Sequence, residues 1–419
     1  MPFRAALSGI QSAGKELKMI GNNVANASTS GFKKSRAQFA DVYAASDIGS
    51  SSNTIGSGVR ISGITQQFSQ GNIDFTDNNL DMAINGGGFF MLDKGGERVY
   101  SRAGAIEIDR EGFMVNSDSL KLLGTTADEN GNPTGETGPL SLDNSNIEPR
   151  STDLVTVGVN LDSAEKKPLF EPFDPNDAGS FNHSTSLTIY DSLGTAHQST
   201  VYFVKTDIAN QWQVHSFIDG KNVKSAEAPP YEANVMNFNG SGALTLIDGI
   251  PVPPGQIEYP DFVTSSGSEP IKLTLDFLAG TPTTQFGSKF NVNALTQDGY
   301  TTGRLTSLDI DETGIVRARY TNGQTRTLGQ VQLADFPNSQ GLRQLGDSTW
   351  AESFESGIPL LGTPGSGKLG LVQSGALEGS NVDLTEQLIN MISAQRNFQA
   401  NAQVITTADA VTQSVINIR

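Results

Sequence analysis

Residues 20–35 read IGNNVANASTSGFKKS, three asparagines within five positions, placed where an apolar helical pattern is running out. Upstream of them Phe3, Leu7, Ile10, Gly14, Leu17, Gly21 and Val24 recur at alternating spacings of four and three. That is the seam of a coiled-coil-like helix, with small residues at two contacts that permit close approach. Asparagine is a poor helix-interior residue but a good one near helix ends and in turns. The stretch therefore predicts the end of a first helix before Gly31. On that helix Asn22 and Asn26 share a face, while Gly21 and Val24 continue the seam.

The far end of the chain mirrors the near one. In VDLTEQLINMISAQRNFQANAQVITTADAVTQSVINIR, residues Leu384, Leu388, Met391, Phe398 and Ile405 form one stripe. Val404, Ala408, Val411, Val415 and Ile418 continue it one position over, as a long helix drifting against a heptad does. Asp383 or Thr385 is placed to cap its start. No proline interrupts residues 365–419, so a helix of about 35 residues, roughly 50 Å, is expected. Narrow stripes bury little when paired only with each other. Two readings stay open: a helical hairpin against the body of the chain, or assembly with neighbouring copies.

Between the ends the pattern is strand and turn. Residues 40–73 are Ser/Gly-rich with short β runs at Val59, Ile61 and Ile64, read as a linker with some strand. AIEIDREGFMV and SLDIDETGIVR share a hairpin pattern with Gly112 and Gly314 in equivalent places, and VRARYTNGQTRTL turns on Asn322 and Gly323. Such a match across so long a separation predicts one β domain built from two distant segments. Between these segments LTIYDSLGTAHQSTVYFVKT reads as strand, turn, strand, and Ile271, Leu273, Leu275 and Phe277 alternate. The expected fold is α+β, mainly β: long terminal helices forming a coiled-coil-like domain, a discontinuous β domain, and an inserted outer β domain. The boundaries are 1–28 with 379–419 for the paired helices, 29–73 with 371–378 for a connector, 74–147 with 302–370 for the discontinuous domain, and 148–301 for the insertion.

Composition excludes several functions. At 419 residues the chain exceeds one ordinary domain, and 45 glycines imply many turns. A net charge of −17 argues against nucleic acid, whose phosphates require basic surface. Arg4, Lys15, Lys18, Lys33, Lys34 and Arg36 nevertheless face only Glu16 in the first 40 residues; they read as a solvated face or as attraction to an acidic neighbour. With no cysteine there is no disulfide or thiolate chemistry. The N-terminus lacks the basic region and apolar run of about 7–15 residues that mark a cleaved signal peptide, and no stretch approaches the ~18 apolar residues of a membrane span.

Apparent chemical motifs fall one residue short. GTPGSGKL, residues 362–369, follows a phosphate-binding loop until Leu369 stands where a hydroxyl should reach magnesium. DIDETG, residues 309–314, opens like a calcium loop, but Tyr320 occupies the position of the bidentate glutamate. His183, His197 and His215 lack the helical spacing of a zinc protease and read as strand or loop positions. NGGGFF, residues 85–90, offers backbone amides to an anion yet leads into phenylalanines, so it reads as a bend into a core strand. No G-x-S-x-G elbow is present. No catalytic residue, cofactor or metal is expected.

IGNNVANASTSGFKKS resembles the N-terminal signature of the bacterial flagellar axial proteins, the rod, hook and hook-associated subunits. Leu17, Ile20, Asn22, Asn23, Ala25, Asn26, Thr29, Gly31, Phe32 and Lys33 carry it. LDMAINGGGFFML and YSRAGAIEID look like the family's first β-domain motifs, and ALEGSNVDLTEQLINMISAQRNFQANAQVITTAD like its C-terminal one. AQRNFQANAQVI, the YDSLGTAH stretch and the chain length favour the hook branch; the alternative is a distal rod subunit. The resemblance is weakest over residues 206–270.

The resemblance implies terminal helices packed as an inner tube around an export channel, with β domains outside. It implies a helical homopolymer that bends while carrying motor torque to the filament. Implied partners are further copies of the chain, the distal rod, the hook cap, the hook–filament junction proteins and the flagellar type III export apparatus, with no membrane insertion. The implied location is the extracellular hook, reached without a cleaved signal. Residues assigned to subunit contacts are Leu7, Ile10, Leu17, Val24, Asn22, Asn23, Asn26, Leu388, Met391, Phe398, Ile405, Val411 and Val415. The asparagines are expected to bond helix end, connector and neighbouring subunit.

Overall fold

Helices form where the heptad patterns run. The first, α1, spans Pro2–Ala25, and the second, α2, spans Leu384–Asn417. Proline suits a first helical turn, where its missing N–H has no partner to lose. Asp383 caps α2, its carboxylate accepting from the backbone N–H of Thr385 at 2.8 Å and Glu386 at 3.1 Å. The computed structural model describes residues 2–42, 56–128, 131–142, 146–224 and 229–417. Much of the Ser/Gly-rich linker, residues 43–55, lies outside them. The chain divides into two units: Met1–Asn144 with Thr306–Arg319 and Thr325–Arg419, and Ser145–Leu305 with Tyr320–Gln324.

The first unit closes like a zip between the two ends of the chain. Strand Ile73–Phe75 pairs antiparallel with Ala376–Glu378, and Met82–Asn85 pairs with Leu371–Ser374. Inward of these, a 13-stranded sheet interleaves early and late segments: Lys121–Ala127 joins Thr325–Val331, Phe89–Lys94 joins Leu333–Asp335, and Glu97–Ser101 joins Thr349–Ala351. Side-chain alternation in Phe89–Lys94 feeds two cores. Phe90 and Leu92 enter one with Met82, Ile84, Val331 and Leu333, while Phe89 and Met91 enter an aromatic one with Tyr100, Phe336 and Trp350. In the same unit Ser35–Asp41 and Val59–Gln66 form a separate antiparallel pair.

In the second unit a seven-stranded antiparallel sheet runs through His183–Tyr190, Ala196–Lys205, Gln211–Ile218, Asn234–Phe238, Leu244–Ile247 and Ile250–Pro251, with Lys221–Asn222 paired to Gln211–Ile218 off that path. It shares one core with a four-stranded sheet containing Leu154–Asn160 and Asn291–Gln297. Ile271, Leu273, Leu275 and Phe277 are all buried there, as their alternation predicts, although only Thr274–Asp276 pairs as a strand.

The hairpins turn by one repeated device. In D-x-x-G, the aspartate side chain accepts backbone N–H groups two and four residues on, and glycine takes the positive φ. Asp109 with Gly112, Asp191 with Gly194 and Asp311 with Gly314 all do this.

His215 is buried in the second unit, stacked on Phe173 with ring centroids 4.0 Å apart. Burial lowers its pKa to about 4, against a smaller opposing effect from the Glu232 backbone. The folded unit therefore resists a proton that the unfolded chain accepts near 6.5. The stability this contributes is complete above pH 6.5 and is lost as pH falls toward 4. Between pH 7 and pH 5 the loss is about 2 kcal/mol, and His215→Phe should remove that acid-side loss. The comparison is of denaturant midpoints for wild type and variant across this range. Burial opposes protonation of His197, but Asp219 and Asp191 outweigh it and raise its pKa; that opposite contribution is common to both proteins and cancels in the difference.

Candidate assembly surface

The two terminal helices run antiparallel. A Cβ on Gly9 would strike the side chain of Asn401, and Asn23 Nδ2 donates to Gln387 Oε1 at 3.1 Å. The face of α1 turned inward carries Ala6, Ser12, Ala13, Ile20 and Asn23, and that of α2 carries Gln387 and Ala394. Apart from Ile20 these are short or polar residues, so the helices approach closely through small side chains.

The apolar seam lies one residue along, about 100° around the helix. Leu7 is 45% exposed, and Ile10, Leu17 and Val24 are half-buried. Gly14 and Gly21, on the same seam, face open space. On α2, Leu388 is 51% exposed, Phe398 and Val411 are exposed, and Met391 and Ile405 are half-buried. Leu384, Ile389, Ile392, Val404 and Ile416 are exposed too. The side chain of Val415 lies outside the described residues. The two readings of the stripes thus divide between two faces: an intrachain hairpin on one, a partly exposed apolar seam beside it.

The three asparagines separate by role. Asn23 is fully buried. Its Nδ2 donates to the Ser35 carbonyl at 2.9 Å and its Oδ1 accepts from Ser35 N–H at 2.9 Å, so its amide is wholly used inside the chain, with no surface left for a neighbour. Asn26 Nδ2 donates to the Asn22 carbonyl at 2.9 Å, and its Oδ1 accepts from the Thr29 hydroxyl at 3.2 Å. Asn22 and Asn26 border an open cavity of about 450 Å³ that also touches Phe32, Ala103 and Asp347.

Behind them lies a buried ion cluster. Lys33 Nζ meets Glu378 Oε1 at 2.6 Å and Arg102 Nη1 meets Glu378 Oε2 at 3.0 Å, with Lys33 and Glu378 fully buried. Gly71 N–H donates to Glu378 Oε1 at 2.9 Å. Two further cationic donors reach backbone carbonyls, Lys33 to Ser69 at 2.8 Å and Arg102 Nη2 to Gly86 at 2.7 Å, whereas the buried Arg102 Nε meets no acceptor among the described residues. Burial pulls the pKa of both cations down, and Glu378 restores part of it. Gly31, at φ +69, sits so close to Ala103 that a Cβ would fall 2.4 Å from its backbone nitrogen, while its own N–H donates to the Glu378 carbonyl at 2.7 Å. Positive φ and close approach together demand glycine. Outside the cluster Lys34 Nζ pairs with Glu386 at 2.9 Å. For Lys33 and Lys34, then, the acidic neighbour is this same chain.

The near-motifs do structural work. GTPGSGKL bends through Gly365 and Gly367 into strand Leu371–Ser374, with no helix behind it. The Asp311 of DIDETG holds its turn and pairs with Arg317 at 2.9 Å. In NGGGFF, Gly86 and Gly88 take positive φ, and the Gly86 carbonyl receives Arg102. His197 lies between Asp219 and Asp191. Sequence reasoning missed Glu378 as the anion that Lys33 and Arg102 share; the one available signal was that Arg102 and Glu378 each sit inside a quoted motif, YSRAGAIEID or ALEGSNVDL.

Comparison with known proteins covers nearly the whole chain. Residues 3–33 match the family described as flagella basal body rod protein, and 83–160 the flagellar hook protein FlgE/F/G D1 domain. Residues 160–300 match the flagellar basal body protein FlaE D2 domain, and 373–418 the flagellar basal body rod FlgEFG protein C-terminal family. The flagellar hook protein FlgE of Escherichia coli K12 is 39% identical over 430 residues, covering 100% of both chains. That of Borreliella burgdorferi is 31% identical, covering 99% of this chain and 98% of its own. A crystal structure of the Helicobacter pylori hook protein FlgE2 shares the fold, with a TM-score of 0.55 at 16% identity, covering 73% of this chain and 100% of that one.

Removing the anion from the cluster should cost far more than breaking the surface pair. Glu378→Ala strands two buried cations and is expected to destabilise the first unit by about 3–5 kcal/mol. Glu386→Ala, at the exposed pair with Lys34, should cost under about 1 kcal/mol. Urea unfolding of the purified variants in a Trp212→Phe background, followed by the fluorescence of Trp350 as the sole tryptophan, measures both; equal costs would refute the cluster's role.

Proposed function

Because this chain belongs to the family of bacterial flagellar hook proteins, we propose that it serves as the structural subunit of the hook. It polymerises helically into the curved, flexible tube that carries motor torque to the filament. The single observation that supports this most directly is the partly exposed apolar seam of α1 beside a hairpin closed by small residues. Neighbouring copies would bury Leu7, Ile10, Leu17 and Val24 on α1 and Leu388, Met391, Phe398, Ile405, Val411 and Val415 on α2. Each large apolar side chain so covered is worth about 1.5–3 kcal/mol. Asn22 and Asn26, lining a cavity at the helix end, are the polar contacts of the same surface. A repeated contact that does not close on itself gives a helical filament.

The four-part division of the chain fits this task. Paired helices supply a continuous tube, and the connector fixes their angle. The discontinuous and inserted β domains present polar, turn-rich surfaces, whose modest interfaces rearrange as the tube bends. The ends of the polymer meet the distal rod, the hook cap and the hook–filament junction proteins. Export through the flagellar type III apparatus, without a cleaved signal, suits a chain that no disulfide can lock and whose helices complete their burial only on assembly. Among the described residues no helix is long and apolar enough to cross a membrane.

Gold-labelled antibody against residues 148–301, viewed on intact cells, should mark the short curved segment between cell surface and filament. Label confined to extracted basal bodies would move the chain to the rod, and scattered label would refute the assignment. At the seam, Leu7→Ser and Leu388→Ser should leave monomer stability within about 1 kcal/mol, as surface changes do, yet sharply reduce polymer yield. Asn22→Ala with Asn26→Ala should also weaken assembly, although alanine favours the helix. Unchanged polymer length and yield would count against a role for the asparagines.

A further inference from the structure

The second unit holds a cavity of about 660 Å³ whose wall includes Lys205. Lys205, the last residue of Ala196–Lys205, is only 7% exposed. Its backbone N–H donates to Asn182 Oδ1, and its ammonium stands 4.9 Å from the centroid of the Trp212 ring. Among the described residues Nζ has no ion pair and no hydrogen-bond acceptor. The nearby carboxylates are already engaged: Asp207 and Glu171 both pair with Lys167, at 2.6 and 2.5 Å. Apart from the Trp212 ring the ammonium meets no counter-charge among the described residues, and its hydrogen-bonding capacity is left facing the cavity. Burial accordingly draws the Lys205 pKa down.

The lining specifies the occupant. Phe173, Tyr231 and Pro172 give an apolar wall for a short aliphatic stem, and Lys205 gives one positive charge for its tip. A dianion such as phosphate is disfavoured, since Asp207 and Glu171 stand on the same wall. The match is a single carboxylate on an aliphatic stem. Phe170 and Ile208, at the cavity and each 60% exposed, are apolar surface that a protein covers and a free ion does not. The chain itself carries 45 acidic against 28 basic side chains, so each copy offers many such groups.

We propose that this cavity is a docking site for an aspartate or glutamate side chain of a second copy of this chain, held by Lys205. The inference rests on the reading of the chain as a self-assembling hook subunit and names one polar contact between its inserted domains. The contact is formed only in the polymer, and its loss leaves the monomer intact.

The test is the critical concentration for growth of purified subunits on sheared hook seeds. Lys205→Met is expected to raise it about tenfold, the value of one charge-assisted bond, and Lys205→Arg to restore it to near wild type. The Lys205→Met monomer should melt no lower than wild type, since an unpaired buried charge has been removed; a lower melt would show a merely structural lysine. In a Trp350→Phe background, Trp212 is the sole tryptophan and should shift its emission on polymerisation only when Lys205 is present. Wild-type growth matched by Lys205→Met overturns this inference alone, whereas wild type that fails to grow on seeds overturns the hook reading beneath it. A Trp212 shift in the monomer with free N-acetylglutamate, without any change in critical concentration for Lys205→Met, would assign the site to a small carboxylate instead.

Discussion

The first unit depends on a single carboxylate. Glu378 collects Lys33 from one end of the chain, 345 residues away, and Arg102 from the first β segment, so three separate stretches meet at one side chain. As a source of stability such a cluster is weak, because desolvating three charges offsets most of their attraction. Its contribution is register. Apolar strand contacts tolerate competing alignments, and a slip of one residue would turn every side chain to the wrong face. Glu378 reaches both cations, the Gly71 amide and, through its backbone, Gly31 in one alignment only. The pairing of Ile73–Phe75 with Ala376–Glu378 and of Met82–Asn85 with Leu371–Ser374 follows from that anchor.

Local chemistry made much of the β structure legible. Hairpin turns announce themselves because the D-x-x-G aspartate bonds its own neighbours and the glycine takes a conformation other residues avoid. Asp109, Asp191 and Asp311 needed no knowledge of the rest of the chain. The alternation at Ile271–Phe277 was equally local. Lys33 was not legible in the same way. Beside Lys34, in a basic stretch, it has the composition of a solvated face, and only a partner hundreds of residues away makes burial tolerable.

The helices show the opposite failure. Hydropathy selects Leu7, Ile10, Leu17 and Val24 as the packing face, and the chain packs α1 on α2 through the neighbouring stripe. That stripe carries Ala6, Gly9, Ala13 and Asn23, which score poorly as apolar residues but allow close approach. Asn23 then binds Ser35 and Gln387, so it fixes where helix, strand and second helix meet. Of the quoted asparagines, Asn23 joins the helix end to Ser35 and Gln387, Asn26 bonds Asn22 and Thr29 locally, and Asn22 and Asn26 border a cavity.

What the two faces of α1 imply together goes further than either alone. Both β units have cores of their own, rich in fully buried Val, Leu, Ile and Phe. The helix pair has almost none, with Ile20 as its one large buried aliphatic on α1. Helix formation is cooperative and helices draw most of their stability from packing of an apolar face, so two long helices joined by small residues are marginal by themselves. A helix exposing Leu388, Ile389, Ile392 and Phe398 on several sides is built to be surrounded. Glycine at 14 and 21 costs helix stability of about 1 kcal/mol each, and a Cβ at either position would meet nothing within 4 Å. The partly exposed apolar faces of the terminal pair are therefore where the proposed assembly would add the burial that the single chain lacks.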